Sequence, residues 1–395
     1  MIQIPSNCTG CSACISACPK GCLTQSVDDC GFMIPHLDPT ECIDCHVCER
    51  VCPALNTNGH CISDEFLVGQ NESYDITRKS SSGGIFYLIG KYILDMGGVV
   101  YGAAFNYNAG VRVRHIRVSE IKDLSLVLGS KYVQSEIGDI FKSVKKDLSE
   151  GRRVLFSGTP CQIAGLKKFL LKDYSSLLTV DVICHGVPSP EVFSRYTTEI
   201  EKRKSDECRN PYKISRFSFR DKKFGWNSYG ISYLLTSSVD FDASEKIFRG
   251  RYEDPYMKGF LNDLFLRESC HDCPVKNFSS GSDITLADAW RIETIMYSPS
   301  FDKGFSLAVP HSEAGKECLS SIGIKWRQTD RSFMTLNNPA AFKSAKPHKK
   351  RKRFFSLINE GKSVSEAVTI CLPEPTLLSR IMWSVSQKIK HYAKK

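Results

Sequence analysis

The sequence predicts a mixed α/β protein in three parts: a small cysteine-rich head, a larger body, and a basic helical tail. Three observations carry that expectation. Eleven of the 18 cysteines fall within residues 1–61. Between residues 65 and 342, apolar stretches of strand length alternate with amphipathic stretches of helix length. Residues 343–395 hold 13 Lys and Arg against 3 Asp and Glu, whereas residues 1–342 carry 40 of each sign.

A length of 395 residues suits two to three domains. With 42% apolar residues the chain can build real cores. No apolar run reaches 18 residues, and the nearest candidate, IFYLIGKYIL, carries Lys91, so no membrane-spanning helix is expected. The opening MIQIPSNCTGC has neither a basic nor an apolar leader region, which predicts a cytoplasmic protein without a secretory signal. In that reducing compartment, cysteines serve as metal ligands more naturally than as disulfides. Residues 1–61 have 2 basic and 6 acidic side chains, so the head is mildly acidic. A uniformly basic, nucleic-acid-coating protein does not fit this distribution.

In the head, Cys8, Cys11, Cys14 and Cys18 follow C-x2-C-x2-C-x3-C with Pro19 next. Cys42, Cys45, Cys48 and Cys52 repeat the spacing 34 residues on, with Pro53 next. Three thiolates spaced by two residues can hold three irons of one cubane, and the fourth reaches the cubane of the other half. The expected ligand sets are therefore Cys8, Cys11, Cys14 and Cys52 for one 4Fe–4S cluster, and Cys42, Cys45, Cys48 and Cys18 for the other. Structural zinc uses two CxxC pairs and has no need of a duplicated triple. Residues 1–61 resemble bacterial-type two-cluster ferredoxins. Cys22, Cys30 and Cys61 lie outside the pattern and read as small packing residues.

The body alternates strands (FLVG, VVYGAAF, VLFSG, LLTVDVIC, DITLAD, FSLAVP) with helices (GIFYLIGKYILDM, CQIAGLKKFLL). It has no GxGxxG after a strand and no P-loop. Ser80-Ser81-Ser82-Gly83-Gly84 precedes an apolar helix, and the expectation is that serine caps its first turn while glycine admits a ligand to the free N–H groups. Ser157-Gly158-Thr159 forms a second strand-to-helix turn, with Cys161 at its mouth. Cys161, Cys184 and the pair Cys270 and Cys273 are candidates for one further site; buried thiols, zinc and a third cluster all fit the residues alone.

The strings SSGG, GSKYVQS (129–135), FSGTPCQIAGL (156–166), DVICHGVPSP (181–190), FGWNSY (224–229), CxxCP (270–274) and SDITLADAW (282–290) occur in this order. Together they resemble the beta subunit of coenzyme F-420 hydrogenase/dehydrogenase over about residues 65–315. That resemblance implies FAD and, beside it, a 4Fe–4S cluster on Cys161, Cys184, Cys270 and Cys273. It places the FAD contacts on Ser82, Gly83, Gly84, Lys131, Ser157, Gly158 and Thr159. Lys131 would stabilise a reduced flavin, with a surface salt bridge as its alternative use. His185 would donate protons or orient a neighbouring ligand by a hydrogen bond, and Trp226 would stack near the substrate or pack in the core.

The implied domains are a two-cluster ferredoxin head (1–61), a flavin- and cluster-binding body (65–342) and the tail (343–395). The implied function is an FAD- and iron–sulfur-dependent oxidoreductase. It would exchange two electrons with a small-molecule donor or acceptor and single electrons with a ferredoxin or other redox protein, in either direction. Bacterial members lying among surface-polysaccharide genes suggest a role in that synthesis. An electron carrier without its own substrate site is the alternative.

In the tail, Lys346–Arg353 is a basic run, and Ser363 with Glu366 forms a capping box. A last helix is expected from Pro375 to Lys395, with Leu378, Ile381, Met382, Val385, Ile389 and Tyr392 on one face. It would either lie on the anionic inner face of the membrane or dock on the body. Without aromatic interleaving or a binding fold, the basic run predicts no nucleic-acid partner.

Overall fold

A computed structural model describes residues 3–56, 59, 63–240 and 242–373. The head is built of α1 (Ala13–Ala17), the antiparallel hairpin β1 (Leu23–Val27) and β2 (Met33–Leu37), and α2 (Val47–Arg50). The body's first half runs β3 (Phe66–Gly69), α3 (Tyr74–Lys79), α4 (Ile85–Asp95), β4 (Val99–Asn106), β5 (Arg112–Val118), α5 (Ile140–Ser149), β6 (Val154–Gly158), α6 (Pro160–Leu170) and β7 (Leu177–Val182). Next come α7 (Pro190–Cys208), β8 (Tyr212–Asp221), β9 (Gly230–Ser237), β10 (Ser244–Gly250), α8 (Pro255–Leu261), β11 (Ile284–Asp288) and β12 (Ser306–Pro310). The described chain closes with α9 (Glu313–Ser321), β13 (Arg327–Thr329), α10 (Arg331–Asn337), α11 (Arg351–Asn359) and α12 (Val364–Cys371).

Eight strands form one sheet in the order β13-β3-β12-β11-β7-β6-β4-β5, with a parallel centre of β11, β7, β6 and β4 and antiparallel flanks. Alternate side chains leave opposite faces, as pleating requires. Val99, Tyr101, Val154 and Phe156 pack under α5 and α6. Val100, Ala104, Leu155 and Val180 pack under α4 and α9. A second, three-stranded sheet, β10-β9-β8, packs with α7, α8, α11 and α12 in a third core rich in aromatic residues.

One sequence expectation is corrected here, and one open alternative is decided in favour of core packing. The first residue before α4 is Gly84, in a left-handed conformation (φ +80°), and no side chain caps the helix. The serines face elsewhere, and Gly83 is required because a Cβ there would lie 2.7 Å from both the Gly69 carbonyl and the Ser306 nitrogen. Trp226 is buried, stacks on Trp290 at 4.7 Å and 6°, and donates from Nε1 to Asp288, so it serves the core and not a substrate.

The basic run also has a structural use. α11 and α12 bury Phe354, Phe355, Ile358, Val364 and Val368 in the body. Arg351 pairs with Glu268 and donates to the Leu266 carbonyl. The Ser363–Glu366 capping box forms as expected. The helix expected from Pro375 to Lys395, and with it any membrane contact, lies outside the described residues, as does Cys61. Among the described residues, no helix is long and apolar enough to cross a membrane.

Candidate electron-transfer site

The motif cysteines of the head fall in two groups. Cys18 joins Cys42, Cys45 and Cys48 around one cavity, although 24 residues separate it from the nearest of them. Cys8, Cys11, Cys14 and Cys52 meet at the other end. Burial raises the Cys14 thiol to about 12, with Cys8 and Cys52 adding to the rise. Cys22 lies closer to this chemistry than a packing role implies: its Sγ is 3.3 Å from Cys18 Sγ, and the residue lines the second cavity. Cys30 is a packing residue of the head–body boundary, where its carbonyl accepts from Ser189.

The head is seated on the body without a gap. Cys11, Ala13 and Val51 share a core with α5 and α6. A Cβ on Gly165 would lie 2.9 Å from Cys11 Sγ, so only glycine allows this approach. Gln134 receives the Met33 N–H, and Arg267 donates to the carbonyls of Cys8 and Met33.

Directly beyond this boundary, Cys161, Cys184, Cys270 and Cys273 line one cavity of about 640 Å3, counted with its open mouth. Three separate pieces of chain deliver them. Thr159 and Gln162 form a capping box that starts α6 right after β6, and Pro160 fixes its first turn, which presents Cys161. Cys184 follows the end of neighbouring β7. Cys270 and Cys273 come from the turn ahead of β11, which is parallel to β7. Carboxyl ends of adjacent parallel strands are where open α/β sheets bind ligands. Burial raises Cys161 to about 11 and Cys270 to about 12, and the neighbouring thiols add to both.

Arg267 and Lys276 line the same cavity, and among the described residues neither pairs with a carboxylate. Lys276 donates to the carbonyls of Cys184 and Ala340. No three His, Cys, Asp or Glu among the described residues converge tightly enough for a single metal ion, and this holds for the head motif too.

Of the residues expected to hold FAD, Ser157, Gly158 and Thr159 adjoin Cys161, with Thr159 Oγ1 3.2 Å from its Sγ, while Ser82, Gly83, Gly84 and Lys131 fall at a second place. Ser82 Oγ donates to the Phe305 carbonyl. Ser81 Oγ and Ser130 Oγ lie 2.7 Å apart, tying the SSGG loop to the loop that carries Lys131. Lys131 is not a surface salt bridge. Its Nζ donates to the Leu128 carbonyl at 2.7 Å and lies 5.8 Å from the Phe105 ring, and burial brings it down to about 7.

The turn Ser157–Thr159 connects to that loop through His115, whose Nε2 meets the Ser157 carbonyl and whose Nδ1 meets Ser135 Oγ. His185 lines the four-cysteine cavity instead, hydrogen-bonded to Asp263, so it and Lys131 serve different places. Tyr132 stacks on Phe260, whose ring meets His185 edge-on, and so lies between them.

Sequence reasoning missed the groups that organise this second place. Arg220 is buried, pairs with Asp288 through both guanidinium ends, and donates to the Ser81 carbonyl. Its Nε is buried with no hydrogen-bond partner. Lys222 donates to the carbonyls of Thr77, Ser82 and Lys303, and burial brings it down to about 7. Asp288 stands inside the quoted SDITLADAW string, but its partner lies 68 residues away in a stretch without a motif.

A docked two-site cysteine head on an α/β body defines an iron–sulfur electron-transfer protein. Residues 7–56 match the 4Fe-4S dicluster domain, and residues 151–327 match the family described as the C terminus of the coenzyme F420 hydrogenase/dehydrogenase beta subunit. The larger part of the body is thus similar to that family, with the dicluster domain ahead of it. No curated protein matches it. Among solved structures it is similar to a chain of the F420-reducing [NiFe] hydrogenase complex from Methanosarcina barkeri. The identity is 14% and the TM-score 0.43, covering 80% of this chain and 93% of that one.

Proposed function

We propose that this protein is an FAD- and iron–sulfur-dependent oxidoreductase that exchanges two electrons with a small-molecule substrate and single electrons with a redox partner. The observation that carries the reading is the convergence of Cys161, Cys184, Cys270 and Cys273 on one cavity beside the first head site. Four half-buried thiols with two cations that no described carboxylate pairs suit a cluster whose thiolate-ligated core is net negative. Cys161 and Cys11 mark the short way between body and head, because Cys11 sits against Gly165, one turn along α6 from Cys161.

The donors around Ser81–Gly84 fit an anionic flavin dinucleotide. Among the described residues, the hydrogen bonds of Lys131 and Lys222 go only to carbonyls, and Arg220, whose Nε has no partner there, lies near Lys222. A bound flavin would supply two-electron exchange with the substrate and one-electron exchange with the clusters. Lys131 and Lys222 would hold positive charge against the reduced ring or the pyrophosphate. Asp288 keeps Arg220 in place, and Trp226 with Trp290 closes the floor beneath it. His185, held by Asp263, orients the wall beside Cys184.

Anaerobic purification with iron, sulfide and flavin assays on one sample tests this. About 12 irons and one FAD per chain are expected. About 8 irons and no flavin after reconstitution would leave a two-cluster carrier.

A further inference from the structure

Arg267 lies where head and body meet, and its surroundings are unusual for a cation. It is 4% exposed, yet among the described residues no carboxylate pairs with it. Its Nε donates to the Cys8 carbonyl at 2.8 Å. Its Nη1 donates to the Met33 carbonyl at 3.1 Å and to Gln134 Oε1 at 3.3 Å. Its guanidinium carbon is 5.4 Å from the Phe32 ring centroid. Every one of these partners is neutral. A buried charge left uncompensated is costly, so this arrangement calls for negative charge close by.

Cysteines are the source within reach. On the head side Arg267 holds the backbone of Cys8, a ligand of the first head site. On the body side it lines the cavity of Cys161, Cys184, Cys270 and Cys273. The one carboxylate lining the cavity, Asp181, is engaged by Ser280 and Thr285. The positive group thus holds the backbone of one head cysteine and lines the cavity of the four body thiols, on either side of one boundary.

We infer that Arg267 is an electrostatic bridge between the first head cluster and the body cluster, stabilising the reduced form of both. This rests on the body cluster proposed above. Each added electron raises the negative charge of a cluster, and a fixed cation in a low-dielectric boundary lowers the cost of adding it. Net charge and hydrogen bonding are what set cluster potentials. Because one guanidinium serves both sites, the two would be raised together. The second head cluster, on Cys18, Cys42, Cys45 and Cys48, would be left alone. Arg267 is a positioning and charge-compensating residue, and no motif singles it out in the sequence.

The test is potentiometry followed by electron paramagnetic resonance on the full-length, anaerobically reconstituted protein, with iron counted on each sample. Cys161→Ser and Cys42→Ser variants assign the signals. In Arg267→Gln, the first head cluster and the body cluster should shift to more negative potential while the second head cluster stays in place. Arg267→Lys keeps the charge but loses the fork to Cys8 and Met33, and it should restore most of both potentials.

Equal shifts in the Gln and Lys variants would show that hydrogen bonding and docking, not charge, set the potentials, and would overturn the inference. So would a common shift of all clusters, or none. If Arg267→Gln fails to retain iron, Arg267→Lys decides alone, and a large negative shift there counts against the bridge. About 8 irons in the unaltered protein would remove the body cluster and the proposed function together. The first head cluster would still report whether Arg267 sets its potential.

Discussion

The head and the body both gather cysteines, but by opposite means. In the head, eight ligands come from two short motifs, and the turn geometry of each motif brings three of its four thiols together. In the body, four thiols come from three stretches spanning residues 161–273: the carboxyl ends of parallel β6 and β7 lead to Cys161 and Cys184, and a separate turn adds Cys270 and Cys273 to the same cavity. A ligand set made by local spacing needs little scaffold, whereas one made by sheet topology depends on the whole domain. The first kind can be read off a sequence, and the second needs a fold or a resemblance to reveal it.

Cysteine substitutions break the comparison most sharply. Cys18→Ser should remove the second head cluster and spare the first, because Cys18 lines the cavity of Cys42, Cys45 and Cys48. Iron should fall by about 4 per chain, with the remaining head signal unchanged. Cys161→Ser should instead cost the body cluster and leave both head signals. Loss of a head signal in that variant would mean that the body scaffolds the head.

Next in size is Asp288→Asn. It leaves Arg220 buried without its counter-charge, which costs about 3–5 kcal/mol. Chemical denaturation should show the loss, with the head absorption unfolding separately from the weakened body. A body as stable as before would remove Asp288 from its proposed place in the flavin-side scaffold.

Gly165→Ala probes the seam itself. Its methyl would sit 2.9 Å from Cys11 Sγ and 3.1 Å from Cys11 Cβ, both parts of a packed residue that cannot swing away. Overpacking of this kind costs about 1–3 kcal/mol. The expected sign is faster proteolytic release of the head under conditions where the body remains intact.

The smallest effect is a pH dependence in which two body groups oppose each other. Burial lowers His115 to about 4, so the unfolded chain binds more protons between pH 4 and 6.5, and stability falls as pH drops through that window. Burial raises Asp181 to about 6, so the folded protein binds more protons between the usual carboxylate range and pH 6, and stability falls as pH rises through it. The two slopes partly cancel. Asp181→Asn should therefore steepen acid destabilisation of the cluster-free protein, and His115→Gln should flatten or invert it. Melting temperatures across pH 4–7 check both signs.

How much could be read beforehand differs along the same division. Strand and helix placement in the body follows from apolar periodicity, and α4, α6 and six strands form where the sequence puts them. The SSGG loop shows the limit of local rules. Serine before a helix suggests a cap, yet Ser81 and Ser82 bond to Ser130 and to the Phe305 carbonyl, and Gly84 takes the cap position. Trp226 likewise sits in a motif loop but is claimed by Trp290 and Asp288. A short polar or aromatic residue takes its best available partner, and here those partners lie 49 to 223 positions away.

Spacing within the two head motifs was enough to propose the crossed ligand sets, because thiolate reach along a tight turn is a local property. The order of strands and helices determined that there would be a sheet with open strand ends. Only the tertiary structure decided that Cys161, Cys184, Cys270 and Cys273 share a cavity, that α11 and α12 complete the body's core, and that Arg267 stands between the two sets of thiols without a carboxylate. Those outcomes depend on which surfaces are driven together when apolar area is buried, and on which charges are stranded by that burial. Neither is encoded in the distance between residues along the chain.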